Sequence, residues 1–159
     1  MIMGIEYQLI DATDKILGRF CGQIAKKALL GNNIVIINAK NAIISGTKRD
    51  IHEKYLAKLE ISTATNPLRG PFHERRPDTF MRRVIKQMLP RKKFRGKEAL
   101  KRVHVYISDI PGRFKSRYQK LTPTEVFFAE KKRLSYYNRY ITLENLCMRI
   151  GWNKKEVEV

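Results

Sequence analysis

Acidic side chains are scarce in this 159-residue chain: 15 Asp and Glu stand against 33 Lys and Arg. A net charge of +18, with no acidic run to offset it, excludes a surface that neutralises itself. Packing like charges together costs a folded domain stability, so a polyanionic partner is implied. Cysteine is nearly missing. Cys21 and Cys147 make neither a disulfide framework nor a Cys-x-x-Cys pair, which fits a reducing cytoplasm. No apolar run approaches the ~20 residues of a spanning helix, so no membrane partner is expected. The opening stretch MIMGIEYQLID lacks a basic n-region, a long apolar h-region and a small-residue cleavage site, and no signal peptide is expected. Internal repeats and low-complexity stretches are absent as well.

Catalytic signatures are equally thin. There is no G-x-G-x-x-G and no P-loop; Ser45-Gly46-Thr47-Lys48 has the Gly-Thr-Lys order without the preceding glycine or the Lys-Ser/Thr end. His52, His73 and His104 are scattered without metal-ligand spacing, and His104 falls inside a β-rich run, where a structural histidine is the ordinary reading. Cys21 sits on an apolar helical stripe and reads as core rather than nucleophile. Nothing assembles a reaction. The chain is therefore expected not to be an enzyme, and to take no cofactor, metal or small-molecule substrate.

What is present begins with a core. Hydrophobic residues make up 43% of the chain, enough for one folded domain with a short appendage. EYQLIDA reads as a short strand. Leu17, Phe20, Cys21, Ile24, Ala25, Ala28 and Leu29 recur at helical spacing, with Arg19, Gln23, Lys26 and Lys27 on the other face and Gly31 as a stop. Ile34 to Ala39 is a continuous β-branched run, as in a strand buried on both faces of a parallel sheet. AIISG is a second short strand candidate, and Thr47 with Asp50 resembles a helix start whose inner face is Ile51, Tyr55 and Leu59. A loop follows through Pro77, which opens a helix with the stripe Phe80, Met81, Val84, Ile85, Met88 and Leu89, ended by Pro90. The RKKFRG loop then leads through a helical turn to the β-rich VHVYI. Thr122-Pro123-Thr124-Glu125 predicts a capped helix with proline at its first position, and TLENLCMRIGW a final short helix. This order of elements predicts an α/β fold, a small and mostly parallel sheet sandwiched by helices.

The charge is concentrated. Between Arg69 and Val103 there are 13 Lys and Arg against 3 Asp and Glu, and Arg113 to Arg139 carries 8 against 2. Arg82, Arg83 and Lys86 share the polar face of the helix that Pro77 opens, between two basic loops. One loop holds Arg69, Arg75 and Arg76, the other runs from Arg91 to Lys97. Arginine favours phosphate, because a guanidinium grips two oxygens at once. Gly70, Pro71 and Gly96 would let the loops follow a backbone closely, and Phe72 and Phe94 are placed to stack on unpaired bases, which favours RNA over DNA. Two other readings stand beside this one: an RNA-directed modification enzyme using the same basic face, and a DNA-binding regulator.

At these same residues the chain resembles a known family, that of the thirteenth large-subunit ribosomal protein, universal to ribosomes. The resemblance rests on Asp11-Ala12 followed by Leu17-Gly18-Arg19, then Val35-Ile36-Ile37-Asn38-Ala39, then Ser45-Gly46, then GPFHERRP from Gly70 to Pro77 and MLPRKKFRGKEALKRVHVY from Met88 to Tyr106. The last two motifs are similar to the archaeal and eukaryotic branch. The family's Met-Leu-Pro signature usually follows glycine, and Gln87 stands there in this chain. The resemblance implies a three-layer α/β/α fold with a four-stranded parallel sheet, plus basic loops and a C-terminal helical extension. It implies a structural role on large-subunit rRNA in the cytoplasmic ribosome, early participation in subunit assembly, and neighbouring large-subunit proteins as further partners. The expected organisation is an α/β core over residues 1–108, with the basic helix and loops at 69–103, and a basic extension over residues 109–159. The candidate rRNA-binding residues are Arg19, Lys48, Arg49, Arg69, Arg75, Arg76, Arg82, Arg83, Lys86, Arg91, Lys92, Lys93, Phe94, Arg95, Lys97, Lys101 and Arg102.

Overall fold

A computed structural model describes residues 6–118, 120–126, 129–130 and 139–153. In chain order the elements are β1 (Glu6–Asp11), α1 (Leu17–Leu29), β2 (Asn33–Ile37), β3 (Ile43–Ser45), α2 (Lys48–Glu60), α3 (Pro77–Met88), α4 (Phe94–Lys101), β4 (Val103–Val105), α5 (Gly112–Lys115), β5 (Lys120–Pro123), β6 (Tyr140–Thr142) and α6 (Leu143–Arg149). Single 3-10 turns lie at Ala39–Asn41 and Pro67–Arg69. The main sheet has the order β4-β2-β1-β5, and all its pairings are parallel. Helices flank it, giving the three-layer α/β fold expected. β3 lies outside this sheet and pairs antiparallel with β6.

Strand alternation divides the core. Ile34, Ile36, Ile10 and Val103 point to the face covered by α1 and α3, where Phe20, Ile24, Met81 and Ile85 fill the space between layers. The row Leu9–Val35–His104, aligned across β1, β2 and β4, belongs to the opposite face. There Tyr7, His104 and Tyr118 meet edge to face, with Tyr7 and Tyr118 centroids 4.9 Å apart. Ile34, Val35 and Ile36 are all fully buried, which is why β2 reads as an unbroken β-branched run. α1 buries Leu17, Phe20, Cys21, Ile24, Ala25 and Ala28, as its spacing predicts, and the chain leaves it through Gly31 at φ +101°. Lys27 is half-buried rather than exposed, and burial lowers its pKa.

Four expectations are corrected. Thr122 and Pro123 do not open a helix; they end β5, an edge strand paired with β1 from Glu6↔Lys120 to Leu9↔Pro123. An edge position tolerates proline because the missing N–H has no neighbouring strand to serve. Thr124 to Val126 and Ala129 to Glu130 are not helical either, and the rest of the expected helix lies outside the described residues. RKKFRG is not a loop throughout: α4 starts at Phe94 and runs for two turns. α2 does start after Thr47, as expected, but the capping is not formed: the Thr47 side chain makes no capping hydrogen bond. Finally, Leu89 anchors the end of α3 in the core at 5% exposure, whereas Met88 is 42% exposed and does not. Residues beyond 108 supply β5, β6 and α6, with Leu143, Leu146 and Cys147 fully buried in the main core.

Candidate nucleic-acid interface

The basic edge is built by α3, the turn after it and α4. Pro77 starts α3 with a preset φ and no orphan N–H to lose. Phe80, Met81 and Ile85 are buried, which leaves Arg82 and Lys86 on the solvent side. After Leu89 the chain reverses: the Lys93 N–H donates to the Pro90 carbonyl at 3.0 Å, and the Gly96 N–H donates to the Lys93 carbonyl at 3.1 Å. Gly96 is buried against that turn. A Cβ there would meet the Pro90 carbonyl oxygen at 2.2 Å, so its glycine serves helix docking and not close approach to a nucleic-acid backbone.

This turn gathers charge around an apolar floor. Leu89, Pro90, Gly96 and Leu100 line a cleft of about 670 Å³ rimmed by Lys86, Arg91, Lys92, Lys93 and Lys97. A second cleft, of about 530 Å³, shares Lys86, Arg91 and Leu100 with it and extends to Arg82, Arg83 and Phe72. Among the described residues Arg82, Lys86, Arg91, Lys92, Lys93, Arg95 and Lys97 have no carboxylate within ion-pair distance. Uncompensated cations on one edge repel each other, and a polyanion relieves that repulsion while releasing its own counterions.

Several candidates are engaged within the fold. A guanidinium N–H of Arg83 donates to the Phe72 carbonyl, tying the loop before α3 to the helix. Arg76 pairs with Asp78 at 3.0 Å, Lys101 with Glu98 at 2.8 Å and Arg49 with Glu53 at 2.7 Å. The hydrogen bond from Lys101 holds the Glu98 carboxyl below its ordinary pKa. Arg102 reaches the Ala28 carbonyl at the end of α1, and Arg75 lies over Gly151. Arg19, Lys48 and Arg69 are exposed but line neither cleft. Phe94 and Phe72 are 77% and 72% exposed, so neither is a core anchor.

Arg113 and Arg117 are basic residues that the candidate set leaves out. Their guanidiniums lie 4.9 and 5.6 Å from the centre of the Phe114 ring. The sequence signal was the interleaving of cations and aromatics in Arg113-Phe114 and Arg117-Tyr118, inside the second basic segment. Among the described residues no three His, Cys, Asp or Glu side chains are grouped to hold a metal, and no helix is long and apolar enough to cross a membrane. Burial pushes the Cys21 thiol up to about 12, and burial followed by the charge of Asp78 pushes that of Cys147 to about 12.

Fold and edge together define a basic α/β protein whose uncompensated charge is held in place by its own core. Residues 5–111, which include the whole of α3 and α4, match the family described as Ribosomal protein L13. The chain is 39% identical over 147 residues to the large ribosomal subunit protein uL13 of Methanopyrus kandleri, covering 92% of this chain and 88% of that protein. It is 37% identical over 143 residues to the protein of that name from Methanococcoides burtonii, covering 90% and 96%. The Caenorhabditis elegans protein is 33% identical over 149 residues, covering 94% and 71%. The chain belongs to the ribosomal protein L13 family.

Proposed function

We propose that this chain is a structural constituent of the large ribosomal subunit, in the cytoplasm, that binds rRNA through the α3–α4 edge and supports subunit assembly. The observation that carries the reading is the set of cations that have no carboxylate partner among the described residues, around two joined clefts on helices whose other faces are core. Family membership supports it, since the relatives are named as large-subunit proteins. It also displaces the modification-enzyme and DNA-regulator readings.

Within the edge the division of labour is specific. Arg82, Lys86, Arg91, Lys92, Lys93, Arg95 and Lys97 meet phosphates, and exposed Phe94 and Phe72 offer faces to unpaired bases. Arg83, Arg76, Lys101 and Arg102 hold the scaffold first, through the contacts described above. Arg19, Lys48, Arg49, Arg69 and Arg75 lie beyond the clefts and serve more distant phosphates of the same RNA. Neighbouring ribosomal proteins are met on the remaining surface. Expression of a tagged chain and sedimentation through high-salt gradients tests the reading: the chain should remain with large subunits. Recovery only at the top of the gradient would contradict it.

A further inference from the structure

At the free side of the edge strand β4, α3 and the segment Gly112–Tyr118 enclose a cleft of about 200 Å³. Arg82 comes to it from α3, Arg117 from the segment after α5, and His104 from β4 itself. Phe114 and Tyr106 form its aromatic wall, 6.1 Å apart between ring centres. We propose that Arg82, Arg117 and His104 form a seat for one RNA phosphodiester, against the wall made by Phe114 and Tyr106. The proposal deepens the rRNA-binding reading and rests on it. The seat adjoins the second cleft through Arg82, which lines both, and extends the RNA path from α3 to β4 and the Gly112–Tyr118 segment.

Three features carry it. Two guanidiniums converge on one small cleft, a planar arrangement suited to phosphate oxygens. Arg117 is held there by its stacking on Phe114, so part of the ordering cost is met before binding. The imidazole of His104 lines the same cleft as the two guanidiniums. Every charged or titratable group facing His104 bears on its proton. Tyr7 from β1 and Tyr118 meet its ring at 6.2 and 5.9 Å, and the Tyr118 hydroxyl is engaged with that of Tyr106 at 2.7 Å. Arg82 and Arg117 repel its protonated form. Asp78 lines the same cleft but is already paired with Arg76.

Burial first, then Arg82 and Arg117, lowers the pKa of His104 below its ordinary value, so in the unbound protein the imidazole is neutral near pH 7. A phosphodiester between the guanidiniums reverses the local field and favours imidazolium. Binding therefore takes up a proton in the window between the free and bound pKa values, and affinity rises as pH falls through it.

The test measures affinity of the full chain for deproteinised large-subunit rRNA, against salt and against pH. Wild type should bind more tightly on acidification, by ~3–10-fold across the histidine range. His104→Gln should remove that increment, whereas His52→Gln, outside the seat, should retain it. Arg117→Ala, at an exposed site where folding is not at risk, should weaken binding and make the salt slope shallower by roughly 0.7–0.9. If Arg117→Ala and His104→Gln, both folded, keep wild-type affinity, slope and pH profile while the α4 cations still matter, the seat is wrong and the rRNA reading stands. Failure of the wild type to bind rRNA would overturn both.

Discussion

Gly96 and Pro90 approach so closely that no side chain fits between them: an added Cβ would lie 2.2 Å from the Pro90 carbonyl oxygen and 2.7 Å from its carbon. The approach is backbone to backbone, and the carbonyl is held by the Lys93 N–H. One glycine thus locks α4 onto the end of α3 and fixes where Arg95 and Lys97 stand.

Gly96→Ala should therefore destabilise the chain by roughly 1–3 kcal/mol, the range for overpacking a tight site. Gly18→Ala makes the contrast, because nothing lies within 4 Å of its Cβ position in α1. That variant should be neutral or stabilise by about 0.4–1 kcal/mol. Paired thermal melts decide it; equal melting temperatures would remove the lock.

Cys21 and Cys147 should be inert in the native state. Both are fully buried, and with their thiols raised to about 12 the reactive thiolate is scarce. Ellman's reagent at pH 8 should react only as the chain unfolds in denaturant. Rapid native labelling of either thiol would contradict their place in the core.

Acid should weaken the unbound protein before its carboxylates titrate. Burial, with nearby Arg and Lys charges, lowers the pKa of His104 and of His52 in the folded state. Between those values and the ordinary one the unfolded chain binds more protons, so stability rises with pH and is lost as pH falls through the folded pKa values. Melting temperature should decline from pH 7 toward pH 5, more gently in His104→Gln. A decline equally steep in the variant would assign the effect elsewhere.

Much of this fold is legible without coordinates where local pattern and tertiary role agree. The stripe of α1, the β-branched run of β2 and Pro77 at the start of α3 each encode burial and direction within a few residues. The sequence fails where a distant partner decides. Thr122-Pro123-Thr124-Glu125 has the chemistry of a helix start, yet Thr122 and Pro123 lie beside β1, more than a hundred residues away, and the Thr122 hydroxyl donates to the Tyr7 carbonyl at 3.3 Å. Gly96 reads as a loop glycine until Pro90 is seen behind it. The site divides similarly. Charge density marks the edge, but only geometry separates Lys86, without a carboxylate partner among the described residues, from Arg83, bound to Phe72, and brings Arg117 to the same cleft as Arg82.

The central claim is that exposed cations on α3 serve binding and not folding. Arg82→Ala with Lys86→Ala removes two of them and leaves Phe80, Met81 and Ile85 in place. The decisive measurement is a salt titration of affinity for large-subunit rRNA beside a thermal melt of the same variant. The melt should match wild type, since exposed charges contribute little to folding. Binding should weaken, with a salt slope shallower by roughly 0.7–0.9 for each phosphate no longer neutralised. A folded double variant that binds with wild-type affinity and slope would contradict the account and move the RNA to another face.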